Sequence, residues 1–133
     1  MDADILAFFE GHAGALPLYE ELENRLLSAF PDAQRRVQKT QITFFHRHVF
    51  ACASLIRVRR KADMPDPCLV VTLGLPAPLS SPRAAVQTQP YPGRWTVHIV
   101  IGRAEEIDGE LMGWAEEAYW FSESKRGGRK ETV

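Results

Sequence analysis

The stretch from Val37 to Arg60, VQKTQITFFHRHVFACASLIRVRR, constrains the fold of this chain more than any other. Two runs rich in Val, Ile, Thr and Phe flank a polar His46-Arg47-His48 turn, which predicts a pair of antiparallel strands, Arg35 to Phe45 and Val49 to Val58. The second run is apolar at both parities: Phe50, Cys52, Ile56 and Val58 oppose Val49, Ala51, Ala53 and Leu55. Such a strand needs cover on both faces and belongs inside a sheet. Cys68 to Leu75 has the same character, with Val70, Val71 and Thr72 β-branched. Arg94 to Ile101 alternates instead, placing Trp95, Val97, Ile99 and Ile101 on one side and Arg94, Thr96 and His98 on the other. Its apolar side must pack on helices.

Three segments supply those helices. Asp4 to His12 carries Ile5, Leu6, Phe8 and Phe9 at helical spacing, with Asp2 or Asp4 as cap and Gly11 near the end. A second helix starts at Pro17, repeats Leu18, Leu22, Leu26 and Ala29, and stops at Pro31. The third runs from about Glu105 to Lys125 with the stripe Ile107, Leu111, Trp114, Ala118 and Phe121, weakened by Gly109 and Gly113. Between the sheet segments, Pro76 to Gly93 holds five of the nine prolines and reads as a long ordered loop with a short strand near Ala85 to Thr88.

These elements predict a two-layer α+β sandwich: a mainly antiparallel sheet of four to six strands with three helices on one face. Trp95, Val97, Ile99 and Ile101 should meet Leu22, Leu26, Leu111, Trp114 and Ala118 in one core. Residues 1–126 are expected to form a single domain and 127–133 a polar, disordered tail. At 133 residues the chain can bury a core without metal or disulfide staples, so Cys52 and Cys68 are expected to be buried, inert thiols. No segment reads as a signal peptide or a membrane span, which makes the cytoplasm the expected location.

The net charge is only −1, yet it is divided unevenly. From Ala33 to Arg103 eleven basic residues face two acidic ones, a balance of +9, while the rest of the chain carries −10. A local field of this size attracts anionic partners whatever the overall charge. Arg94, Thr96 and His98 on one strand, with Lys39, Gln41 and Thr43 on another, form a set able to hold phosphate or carboxylate by charge-assisted hydrogen bonds. The rival reading is a solvated face whose arginines pair with helix glutamates. Phe44, Phe45 and Phe50 beside Lys39 and Arg57 suggest stacking of single-stranded nucleic acid, with core packing as the alternative.

Few residues point to catalysis. Lys39 and His98 are the acid–base candidates, and the sheet region has only Asp63 and Asp66 for a carboxylate mechanism. His46 and His48 lack nearby ligands to complete a metal shell, so no metal site is expected. Nucleophile-elbow, P-loop, HExxH and dinucleotide fingerprints are all missing, and no cofactor is expected.

Taken in order, GALPLYEELENRL, VQKTQITF, LVVTLGL, SPR, YPGRWTVHIVI and EEIDGELMGWAEEAY resemble the domain-of-unknown-function family DUF5655 from about Leu16 to Phe121. The resemblance implies a compact bacterial α+β domain without an established activity, found alone or at the end of chains labelled as transport proteins or nucleases. Positions matching the family pattern are Lys39, Thr40, Phe44, Arg83, Tyr91, Arg94, Thr96 and His98. A second histidine common beside the last of these is Val97 here, which argues against a two-histidine mechanism.

The expected function is binding of an anionic ligand, a nucleotide-like molecule or single-stranded nucleic acid. Lys39, Thr40, Arg57, Arg83, Tyr91, Arg94, Thr96 and His98 are its candidate contacts. Two other readings stand beside it: a protein-interaction or dimerisation scaffold, with a homodimer covering the second face of the sheet, and a phosphoester-directed enzyme using Lys39 and His98.

Overall fold

The computed structural model describes residues 2–125. Six strands, β1 (Gln34–Val37), β2 (Gln41–Phe45), β3 (Val49–Ser54), β4 (Leu69–Leu75), β5 (Ala84–Tyr91) and β6 (Arg94–Ile101), form one sheet in the order β1-β2-β3-β4-β6-β5. Every neighbouring pair is antiparallel. Helices α1 (Ala3–Phe8), α2 (Leu16–Ala29) and α3 (Gly109–Glu123) share one core with a single face of that sheet. The fold is therefore α+β, two layers deep, as the hydrophobic periodicity predicts.

Pairing register decides which side chains enter the core. Ile42 lies opposite Ala53, Ala53 opposite Val71, and Val71 opposite Ile99, and all four are buried beneath the helices. The neighbouring row, Phe44, Ala51, Leu73 and Val97, faces the same way. Phe50 joins them because the β2–β3 register shifts between Phe44 and Phe45. It meets Phe30 and Tyr119 edge-on at 5.4 and 5.2 Å, while those two rings stack at 4.6 Å. Edge-on pairs of this kind add stability beyond that of the area they bury. The expected core residues Val97, Ile99, Ile101, Leu22, Leu26, Leu111 and Ala118 are all buried, with Trp95 and Trp114 half-buried at its margin.

Several boundaries depart from the sequence expectations. The single strand Arg35 to Phe45 is in fact two, because Gln38 and Gln41 close a tight turn through a 2.9 Å backbone bond, leaving Lys39 and Thr40 at its tip. That turn lacks the Asn-Gly or Asp-Gly signature that would have marked it. The strand expected to reach Val58 ends at Ser54, opposite Val70, since its partner β4 begins only after Pro65 and Pro67, neither of which can donate to a ladder. The loop expected from Pro76 to Gly93 contains the eight-residue edge strand β5, longer than the short strand expected near Ala85 to Thr88. Pro90 is tolerated there because an edge strand has one side without a partner. Gly93, at φ +75°, completes the Pro92-Gly93 turn into β6.

The helix ends follow capping chemistry. Asp2 accepts from the Asp4 amide at 2.8 Å, and α1 stops at Phe8, short of the expected end near Gly11. Asp108 accepts from the Leu111 amide at 3.0 Å, so α3 begins at Gly109 and the preceding residues form a separate 3₁₀ turn, Ala104–Glu106. Gly109 is thus the first helical residue, and only Gly113 carries the interior penalty. Cys52 and Cys68 are free but half-buried, less enclosed than expected. The expected tail from Gly127 lies outside the described residues.

Candidate nucleic-acid interface

Among the described residues, all three α-helices contribute to the core on the first face of the sheet, and none packs on the second. Antiparallel partners share a face, so its middle row is Arg36, Thr43, Cys52, Thr72 and His98, ending at Val86. The row towards the Leu75 end carries Phe45, Gly74, Thr96 and Thr88, with Arg94 and Tyr91 paired beyond it. A side chain built at Gly74 would meet no atom within 4 Å, which marks open space. At the Leu69 end, by contrast, Ser54 and Val70 are buried.

Electrostatics sets this face apart. None of the six strands contains an Asp or Glu. Arg36 lies over the Phe45 ring at 4.7 Å, an arrangement that holds a cation at the surface without neutralising it. Arg94 forms no ion pair among the described residues, and lies near enough to Lys125 to help lower that ammonium to about 8, after the larger effect of burial. His98 shares a 2.8 Å hydrogen bond with Thr72 across β4 and β6, its direction set by the imidazole tautomer. Burial lowers the pKa of His98 and favours the neutral ring. Tyr91, 64% exposed, is the most accessible large hydrophobic residue among those described.

Of the expected site residues, the sheet brings Tyr91, Arg94, Thr96 and His98 together on this face. The others lie elsewhere. Lys39 and Thr40 occupy the β1–β2 turn, where Lys39 borders a hollow shared with Asp4, Ala7 and Phe8 of α1. Arg57 follows the end of β3 and lines a cavity with Lys61 and His12. Arg83 turns towards α3, bonding Asp108 and Glu110 at 3.0 Å each and the Glu106 carbonyl at 2.6 Å. With three acceptors already engaged and its guanidinium 5.5 Å from the Trp114 ring, Arg83 holds the start of α3. Arg35, counted in the basic balance, is likewise engaged on the helix side by Asp2 and Glu23 at 2.9 and 3.2 Å.

Two contributors escaped sequence reasoning, Arg36 and Thr72, while Phe45, one of the three expected aromatics, is the one that is half-buried rather than buried. The polar run Gln38 to Gln41 was the available signal, because a turn there assigns Arg36 and Thr43 to the outer face. Lys39 and His98, the paired acid–base candidates, are separated by the width of the sheet, since β1 and β2 lie at one side and β6 near the other. Cys52 is pushed up to about 11 by burial, and Cys68 is raised by burial and then by Asp66, so both favour the thiol over the nucleophilic thiolate at neutral pH. His46 pairs with Glu123 at 3.0 Å, and no group of three or more His, Cys, Asp or Glu among the described residues is placed to hold a metal.

The sequence model for the domain of unknown function DUF5655 matches residues 6–122. The chain belongs to that family. This DUF5655 domain is matched by no curated protein and no solved structure. Among its described residues, no helix is long and apolar enough to cross a membrane.

Proposed function

We propose that this DUF5655 domain binds single-stranded nucleic acid across the outer face of its sheet. The observation that carries the proposal is the absence of any carboxylate in the six strands, on a face that displays Arg36, Arg94 and His98 together with the rings of Phe45 and Tyr91. Phosphates need unneutralised cations, and bases need exposed aromatic platforms. Phe45 and Tyr91 stand on β2 and β5, four strand steps apart or roughly 19 Å at the usual inter-strand spacing. That span suits a polymer laid across the sheet better than one nucleotide. Thr96, Thr72 and Thr88 add hydroxyls between the two platforms, and Gly74 leaves room for close approach.

Fluorescence anisotropy with a short labelled single strand, read at about 50 and 200 mM salt, tests the proposal. Affinity should fall with salt by about 0.7 in log–log slope for each phosphate neutralised. An Arg36→Gln, Arg94→Gln double variant should reduce that slope by about 1.4, and Tyr91→Ala should cost about 1–3 kcal/mol at both salt concentrations. No saturable binding, or affinity unchanged in the double variant, would overturn it.

A further inference from the structure

A second cluster of cations lies outside the sheet face. Residues 57–61, RVRRK, hold four of the basic residues, and the structure places Arg57 and Lys61 on the wall of a cavity of about 290 Å³. His12 contributes from the α1–α2 connection, while Leu55, Met64 and Pro67 supply apolar surface. Arg60 is held by Asp63 at 3.0 Å, but neither Arg57 nor Lys61 forms an ion pair among the described residues. Asp66 is the single carboxylate on the lining.

The two walls of the cavity are brought together at Gly14, where an added Cβ would come within 3.0 Å of Pro67. They meet because position 14 has no side chain. The cavity is thus a built junction between the α1–α2 connection and the segment linking β3 to β4. Exposed Ile56 adds an apolar wall beside the two free cations.

We propose that this cavity is a separate binding site for a small phosphate monoester with a compact apolar body. Arg57 offers a planar fork to phosphate oxygens and Lys61 a compact ammonium. His12 adds a third donor, and Leu55, Met64 and Pro67 receive the carbon portion. A free inorganic anion would use only the cationic half of this lining. The combination of unpaired charge and apolar surface in one small concavity selects the ester, following the general pattern of a few polar groups orienting a ligand in an apolar pocket.

The test uses phenyl phosphate, with inorganic phosphate and phenol as its two halves, in calorimetric titration and amide chemical-shift mapping of the full chain. Phenyl phosphate should bind more tightly than either half, with shifts confined to residues 11–15 and 55–68. Arg57→Gln with Lys61→Gln should weaken it at least tenfold without lowering the melting temperature, because both positions are exposed. Arg94→Gln should leave it unchanged, separating this site from the sheet face. Equal affinity for inorganic phosphate, shifts on the strands instead, or full binding by the double variant would each overturn the proposal.

Discussion

Thr72 Oγ1 and His98 Nδ1 stand 2.8 Å apart at the middle of the helix-free sheet face, joining the two strands that carry its centre. Burial holds the His98 pKa below its ordinary 6.5. The folded state therefore binds this proton less readily than the unfolded chain. The His98 contribution to stability is intact above about pH 6.5 and declines as pH falls from there towards the folded-state value. A bound phosphate favours the imidazolium, so oligonucleotide affinity should rise on acidification, by about tenfold for each unit that the anion raises the His98 pKa. His98→Gln should flatten that component of the profile. Anisotropy titrations between pH 7.5 and 5.5 check it.

Arg83 gives a contrasting expectation. Replacing it with Ala removes bonds to Asp108, Glu110 and the Glu106 carbonyl, together with its contact over Trp114. Charged hydrogen bonds of this kind contribute about 1.5–3 kcal/mol, and partial exposure of the carboxylates places the expected loss near 2 kcal/mol. Urea denaturation measures it. The salt slope of oligonucleotide binding at a temperature where the variant is folded should not change.

Asp108 couples the same helix start to acid. Its carboxyl is held below the usual range first by the Leu111 amide and then by Arg83. The stabilisation is present above the unfolded-state value near 3.8 and is lost as pH falls through the lower folded-state value. Asp108→Asn retains a capping oxygen but no charge, whereas Asp108→Ala removes both and should cost about 0.5–2 kcal/mol near neutrality. The variants should approach the parent in acid, where thermal melts across pH reveal the difference.

Phe50 tests the aromatic core. It is buried and meets both Phe30 and Tyr119, so Phe50→Ala should destabilise the fold by about 3–5 kcal/mol. Phe50→Leu should cost less, because it keeps most of the apolar volume while losing the edge-on contacts. Chemical denaturation separates the two.

Gly93 tests the turn between β5 and β6. At φ +75°, an alanine there should cost about 1–2 kcal/mol from the left-handed backbone alone. Gly74 differs, since its outward direction is open and its backbone carries no such requirement. Gly74→Val should leave stability within about 0.5 kcal/mol yet obstruct oligonucleotide binding.

The layer architecture was legible because strand and helix periods are local properties. Alternation from Arg94 to Ile101 assigned Val97, Ile99 and Ile101 to the core and His98 to the opposite face without knowledge of any partner strand. The continuous apolar runs likewise marked β3 and β4 as interior strands. What sequence could not decide was where pairing begins and ends, since that depends on a partner elsewhere in the chain: β5 exists because β6 offers it a ladder, and β3 stops opposite Val70, one residue from the start of β4. Charge followed the same division. Composition established that the middle of the chain is basic, but only packing determined that Arg35 and Arg83 are paired with carboxylates while Arg36, Arg57 and Arg94 remain available. A cation's strength as a ligand depends on the acceptors within a few ångströms, and tertiary structure sets that distance.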